Sequence, residues 1–418
     1  MSLNSWVDIP LGEALDKVLG GGTPTKLKSE YWGGDLPWAT VKDFTSLKLK
    51  NVQDFITDIG LINSSANLIP ENTIVIPTRM ALGKVAMTGR PMAINQDLKA
   101  LFPKEFVDKN YLFQWLIYKA SDISGLGSGS TVQGIRLEVL RGLRFSYPVD
   151  LQEQQKVAEV LSTVDQKIDL IDKKIAETKK LKTGLMQKLF SEGVGFQDEN
   201  GNWQPHTEFQ NLCGDKVPKT WNKAKLGDLL DKIVGGGTPS KSNPEYWGGE
   251  IPWASVKDFK SSILSSSVIR DTITDKGVKN SATNLIEAET IVIPTRMALG
   301  KVAITEEKIA INQDLKALYP TDKLNNKFLF YWLESQASKI EKLGSGSTVA
   351  GVRLEVLKAL DCIYPESINE QIGISQIFAL VDSKLELLRL EKAETQQLKK
   401  GLMQKLLTGE WRVPLDNH

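Results

Sequence analysis

Ile74-Val-Ile-Pro-Thr-Arg-Met-Ala-Leu-Gly-Lys-Val85 occurs twice in this chain, returning without a change as Ile291 through Val302. The match extends outward on both sides. Upstream, Gly20-Gly-Gly-Thr-Pro24 returns as Gly235-Gly-Gly-Thr-Pro239, and Glu30-Tyr-Trp-Gly-Gly34 as Glu245-Tyr-Trp-Gly-Gly249. Pro37-Trp-Ala39 and Val41-Lys-Asp-Phe44 return as Pro252-Trp-Ala254 and Val256-Lys-Asp-Phe259. Downstream, Asn95-Gln-Asp-Leu-Lys99 matches Asn312 through Lys316, and Leu126-Gly-Ser-Gly-Ser-Thr-Val132 matches Leu343 through Val349. The two halves therefore share one fold. The period is too long for a solenoid repeat, so the repeated unit is a whole domain with its connector.

Composition agrees with that organisation. A chain of 418 residues exceeds one ordinary core, so two or more domains are expected. Hydrophobic residues at 41% and charged residues at 25% are those of a soluble globular protein. No apolar run approaches the roughly 20 residues that span a bilayer. Met1 to Asp8 lacks the pattern of a signal peptide, and a cytoplasmic protein is expected. Cys213 and Cys362 occupy non-equivalent positions and build neither a disulfide framework nor a zinc site. His206 and His418 fall in expected loop or tail. A net charge of +1 excludes nucleic-acid binding through bulk positive charge. Any grip on DNA must come from local patches or from partners.

Each half opens with residues of mixed character. Strand-like runs such as Thr73–Pro77 and Lys84–Met87 are punctuated by Gly and Pro, and helical stretches such as Asn110–Ser121 follow. A long helix closes each half. Asp150-Leu-Gln-Glu153 and Ser367-Ile-Asn-Glu370 resemble capping boxes. Val157, Leu161, Val164, Ile168, Ile171, Ile175, Leu185 and Leu189 then recur at steps of four and three. Ile374, Phe378, Val381, Leu385, Leu388, Leu402 and Leu406 repeat the frame, which is coiled-coil spacing. Gly193 and Gly409 mark the ends. The expected boundaries are a first domain at 1–149, a helix at 150–192 and a linker at 193–215. A second domain at 216–366, a helix at 367–408 and a tail at 409–418 complete the order. At about 1.5 Å per residue each helix makes a rod of roughly 60 Å. Lys182 and Lys399 hold equivalent core-facing positions, and a parallel pair would set lysine against lysine. An antiparallel pair is therefore expected, with the two domains at opposite ends and pseudo-two-fold symmetric. Duplex DNA has the same local symmetry, so two heads on such a spacer would touch half-sites split by roughly 5–10 unread pairs.

The paired motifs, read together, are specific. Gly-Gly-Thr-Pro, Tyr-Trp-Gly-Gly and Pro-Trp are followed by Arg79, Gly83-Lys84-Val85, Asn95-Gln96, the Gly-Ser segment, Glu153-Gln154 and Lys182…Gly184-Leu-Met-Gln-Lys188. In that order they resemble the specificity subunit of type I restriction-modification systems, over essentially the whole chain. The resemblance implies an α/β (α+β) fold. Two similar mixed α/β target-recognition domains would be separated by two long antiparallel coiled-coil helices. It also implies double-stranded DNA as ligand and two modification (methyltransferase) subunits as partners. Restriction subunits, ATP-dependent translocases and nucleases, would join them. S-adenosylmethionine, ATP and Mg are then expected on those partner subunits, with no cofactor bound by this chain.

Candidate DNA contacts follow from side-chain chemistry, each with a structural alternative. The Gly20–Pro24 and Gly235–Pro239 loops, with Thr23, Lys26, Thr238 and Lys241 nearby, either offer N–H groups to a phosphate or turn the chain. Tyr31, Trp32, Trp38 and their counterparts Tyr246, Trp247 and Trp253 are read as core or wall rather than as stacking platforms. Arg79, Lys84, Arg296 and Lys301 grip guanine or phosphate, or else serve internal ion pairs. Gln96 and Gln313 read adenine or tie down a loop. The polar segment bearing Ser128, Ser130, Thr131, Gln133 and Arg136 is the strongest single candidate, with Ser345, Ser347, Thr348 and Arg353 its counterparts. The alternating charges of the long helices, as in Lys173-Lys174 and Glu177, read as a solvated face.

No phosphate loop of the Gly-x-x-x-x-Gly-Lys-Ser/Thr type occurs, and no nucleophile, base and orienter set stands out. Asn243-Pro-Glu-Tyr246 departs from the adenine-methyltransferase pattern, and the first half has Lys28-Ser-Glu-Tyr31 there. A non-catalytic chain is expected. Near-identical halves predict an interrupted, nearly palindromic target. Differences lie in residues 45–64 against 260–281, Lys28 against Asn243, and Gln133 against Ala350. Three other readings stay open: a stand-alone two-headed DNA-binding regulator, a tandem ligand-binding or scaffold protein, and a methyltransferase fused to its reader. The last lacks room for a catalytic domain.

Overall fold

The computed structural model describes residues 6–127, 134–212, 214–344 and 351–415. They fall into two compact units, one formed by residues 1–174 with 388–418, the other by residues 175–387. The expected mixed α/β domain occurs in each.

In the first unit, a five-stranded sheet has the order Leu15–Gly20, Leu98–Pro103, Ile74–Pro77, Ala86–Thr88, Lys48–Leu49. Its pairings are antiparallel except the last, which is parallel. A four-stranded sheet runs Asp54–Ile56, Trp32–Ala39, Met92–Ile94, Asn67–Ile69. Trp6–Pro10 pairs antiparallel with Arg144–Pro148, closing the ends of the domain on each other. Ile74, Val75 and Ile76 are buried throughout, which suits a β-branched run in the middle of a sheet covered on both faces. The helix Lys109–Tyr118 begins at Asp108, whose carboxylate accepts from the Tyr111 N–H at 2.8 Å. Tyr111, Leu112, Trp115 and Leu116 bury its inner side.

The second unit repeats this plan. Its five-stranded sheet runs Leu230–Gly235, Leu315–Pro320, Ile291–Pro294, Ala303–Thr305, Ile263–Leu264. Its four-stranded sheet runs Thr272–Ile273, Trp247–Ala254, Ile309–Ile311, Asn284–Ile286. Residues 193–215, expected as linker, contribute the hairpin Phe196–Gln197 with Trp203–Gln204 and part of the pair Phe209–Leu212 with Asp215–Pro218.

The long helices span Leu151–Glu192 and Ile368–Leu406. Within each unit the segments of the two helices run antiparallel. In the first unit Lys399 pairs with Asp165 at 2.6 Å, Lys392 with Asp172 at 2.6 Å and Lys167 with Glu391 at 3.3 Å. In the second unit Lys182 pairs with Asp382 at 2.7 Å, and Phe190 stacks on Phe378 with centroids 5.5 Å apart. The two core-facing lysines thus each meet an aspartate, and Lys182 also meets Glu334 at 2.8 Å. Gly193, directly after the first helix, and Gly409, three residues after the second, both take positive φ.

The capping-box expectation needs correction. Ser367 does accept from the Glu370 N–H at 3.4 Å, but neither acid reaches back to its cap. Glu370 turns inward, accepting from the Trp221 indole at 3.2 Å and lying 2.9 Å from His206. Glu153 is held by the Arg412 guanidinium. Each acid is almost wholly buried, so pairing it in the interior matters more than satisfying one exposed N–H. His206 lies in a loop, as expected, with its side chain buried against Glu370. The next residue bolts each helix to its domain. Gln154 donates to the Pro148 and Phe106 carbonyls and accepts from the Asp108 N–H, and Gln371 repeats this on Pro365, Lys323 and Asn325.

Candidate nucleic-acid interface

Three backbone segments meet at one end of the five-stranded sheet of the first domain. The strand Ile74–Pro77 ends there, and the strand Leu98–Pro103 begins there. The Ile135 N–H donates to the Thr78 carbonyl at 2.9 Å, and Arg79 bridges to Gly134, which brings in the chain before the helix Leu137–Arg141. The turn is fixed locally. Asn95 accepts from the Asp97 N–H at 3.1 Å, while the Thr78 N–H donates to the Asp97 carbonyl at 2.7 Å. Proline at position 77 suits this place, because it lies past the pairing with Ala86–Thr88 and its missing N–H costs no ladder bond.

The side chains from these segments line a hollow of about 500 Å³: Arg79, Gln96, Asp97, Lys99 and Arg136, with Thr78, Gly134 and Ile135. The second domain builds the same hollow, of about 740 Å³, from Arg296, Gln313, Asp314, Lys316 and Arg353. Arg79 lies 3.9 Å from Asp97 and is 68% exposed, and Arg296 lies 3.8 Å from Asp314 and is 67% exposed. These are loose surface pairs that leave both guanidinium groups available. Arg136 and Arg353 are exposed and form no ion pair among the described residues. The structure thus gathers Arg79, Gln96 and Arg136 from three distant stretches of sequence, and does so twice.

Thr23 belongs to the same cluster. Its hydroxyl donates to the Gln96 Oε1, as Thr238 does to Gln313. The hold fixes the carboxamide with its NH2 group turned away from the threonine. Gln313 also lines a second hollow of about 490 Å³, with Thr238, Lys241, Trp247, Trp253, Ser255, Lys257, Asp271 and Asn312. It therefore stands on the ridge between a cationic hollow and an aromatic one. Trp253 is buried and packs edge-on against Trp247 with centroids 5.1 Å apart, the same spacing as Trp32 on Trp38. These tryptophans are wall and core, as the sequence indicated.

Other candidates are placed differently. The Lys84 ammonium donates to the Phe44 carbonyl at 3.0 Å, and that of Lys301 to Phe259 at 2.8 Å. Both lysines fasten a turn and stay outside the hollow. The glycine loop is a packing device as well. The Gly22 N–H donates to the Ile94 carbonyl at 3.0 Å, and Gly21 lies so close to that carbonyl that no Cβ fits. That N–H is not free for a phosphate. Lys26 is exposed beside this loop, and its counterpart Lys241 lines the aromatic hollow. Ser128, Ser130, Thr131, Gln133, Ser345, Ser347 and Thr348 lie outside the described residues.

Lys99 and Lys316 were missed in the sequence, although they close the repeated Asn-Gln-Asp-Leu-Lys motif. The Lys99 ammonium donates to the Gln96 carbonyl at 3.0 Å, and that of Lys316 to Gln313 at 3.1 Å. Burial pushes both amines below their ordinary range. The neighbouring arginine adds to this, and the aspartate opposes it. Met80 and Met297, next to the arginines, are exposed and take positive φ of 54° and 58°. Among the described residues, no group of His, Cys, Asp and Glu is arranged to hold a metal ion, and no helix is long and apolar enough to cross a membrane.

Comparison with known proteins identifies the family. The family model for the type I restriction modification DNA specificity domain matches residues 4–180 and again 218–400. The type I restriction enzyme MjaIX specificity subunit of Methanocaldococcus jannaschii is 26% identical over 97% of this chain and 94% of its own. The EcoR124I/EcoR124II specificity subunit of Escherichia coli is 34% identical over 43% of this chain and 45% of its own. In fold, the chain is similar to the crystal structure of a type I restriction-modification S subunit from M. genitalium. That likeness has a TM-score of 0.61 at 18% identity, covering 97% of this chain and 98% of the other. With two domains matched across most of its length, the chain belongs to the type I restriction-modification DNA specificity family and is the DNA-recognition subunit of such a system.

Proposed function

We propose that the chain reads a bipartite, nearly palindromic site in double-stranded DNA and presents it to catalytic partners. One observation carries this reading. The set Arg79, Gln96, Lys99 and Arg136 recurs with the same bonds as Arg296, Gln313, Lys316 and Arg353. Two copies of one reading surface select the same short sequence twice, and the long helices set the unread gap. The near-neutral net charge supports a reader whose hold on DNA is shared with other subunits.

Two modification subunits carrying S-adenosylmethionine are the partners this reading requires, and ATP-dependent restriction subunits would join them. The chain itself supplies recognition and positioning, with no bound cofactor and no chemistry of its own. The test is to isolate the tagged chain from its native host at low salt and identify what copurifies. A methyltransferase is expected, and the assembly should bind duplex with an affinity that falls steeply with salt. A chain that copurifies with nothing and binds its site tightly alone is a stand-alone regulator. A chain with no salt-dependent duplex binding is a scaffold.

A further inference from the structure

In each cationic hollow, three positive groups face one carboxylate. Arg79, Lys99 and Arg136 stand against Asp97, and Arg296, Lys316 and Arg353 against Asp314. The acid is partly engaged already, since the Asn95 amide approaches it at 3.4 Å and Arg79 at 3.9 Å. The lysine is the recessed member. Its ammonium is anchored on the Gln96 carbonyl and packs over Gly20, where an added Cβ would lie 3.2 Å from it. The second domain copies this at Gly235, with 3.1 Å. So anchored, Lys99 still has two N–H donors to give, and Lys316, which also meets the Leu315 carbonyl at 3.3 Å, has one. Burial lowers the proton affinity of the Lys99 amine, with Asp97 opposing the shift and Arg79 adding to it.

The chemistry of the lining selects the ligand. A base edge in a groove presents donors mixed with acceptors or, for guanine, a planar pair of acceptors. A phosphodiester presents acceptors and a full negative charge. Three convergent cations in a hollow of about 500 Å³ match the latter. We propose that Lys99 and Lys316 each hold one backbone phosphate of the duplex, with Arg79 and Arg136, or Arg296 and Arg353, closing around it. The clamp sets where each domain sits on the duplex, while the neighbouring Gln96 and Gln313 face the bases. It rests on the DNA-recognition reading and assigns the lysines a positioning role within it.

The experiment measures binding of the full chain, in the assembly with its copurified methyltransferase, to a mixed-sequence duplex library over a series of salt concentrations, followed by sequencing of the retained fraction. Each phosphate contact contributes about 0.9 to the slope of log affinity against log salt. The variant Lys99→Gln/Lys316→Gln should therefore lose about 1.8 in slope and retain the wild-type sequence motif. Lys99→Arg/Lys316→Arg should keep the slope. Arg136→Gln/Arg353→Gln changes solvent-exposed side chains, tests the same clamp without touching the packed lysines, and should also lower the slope. An unchanged slope in both glutamine variants overturns the clamp, as does a retained motif altered at a base. A wild-type assembly that retains no duplex at any salt instead removes the reading on which the clamp rests, and the clamp with it.

Discussion

On the proposed reading, Gln96 and Gln313 are the residues that meet the bases. Each is held by a threonine hydroxyl at the rim of the cationic hollow. Replacing Gln96 with Ala is expected to relax selection at one base of one half-site by about 1–3 kcal/mol. Gln313→Ala should do the same in the other half-site, as measured by enrichment from a randomised duplex. Residue types were legible in the sequence because both halves keep them, but proximity was not. Arg79 and Lys84 are neighbours in sequence, yet the left-handed turn at Met80 and Ala81 sends the lysine to the Phe44 carbonyl. Lys99 was passed over because adjacency to Gln96 says nothing of a shared hollow. That required the register pairing Lys99 with Ile76 and Gly20.

At the scale of elements, the heptad frame foretold the long helices and the two core-facing lysines their antiparallel direction, and the partners of those lysines show why one register is kept. Lys399 and Asp165 are 10% and 17% exposed, so removing the lysine leaves the buried carboxylate with the Gln114 amide alone. Lys399→Met should destabilise the first unit by about 2–3 kcal/mol, somewhat under the 3–5 kcal/mol for a fully buried pair. Asp165→Asn in the same chain should recover part of the loss, read as urea midpoints. The acids at the starts of the helices behave differently from the helix-cap expectation, since spacing alone cannot tell a cap acid from a buried one. Burial holds the Glu370 carboxyl above its ordinary range, against the pull of His206 and Trp221. A raised carboxyl binds its proton more tightly in the folded chain. Its contribution to stability is complete below the unfolded value and is lost as pH rises through the folded one. Glu370→Gln should therefore flatten the fall in stability on going from mildly acidic to neutral pH, followed by urea midpoints. The tail meets the same need in the first unit, where Arg412 neutralises Glu153 and the Trp6 indole N–H is left without a partner among the described residues.

For the whole molecule, duplication is the fact from which the function follows. It was visible in the sequence and required two equal domains, but the strand order of each domain was not readable from short apolar runs. Two domains with matching hollows should select matching half-sites. Departures are expected at unlike positions, such as Lys28, which bonds the Tyr31 hydroxyl at 3.0 Å, against Asn243, which caps the turn before Tyr246. The most direct test is to map methylated bases across the genome of cells carrying this chain and its native partners. An interrupted motif whose halves are reverse complements, differing at a base or so, is the expected result. Two unrelated half-sites, or one uninterrupted motif, would contradict the account.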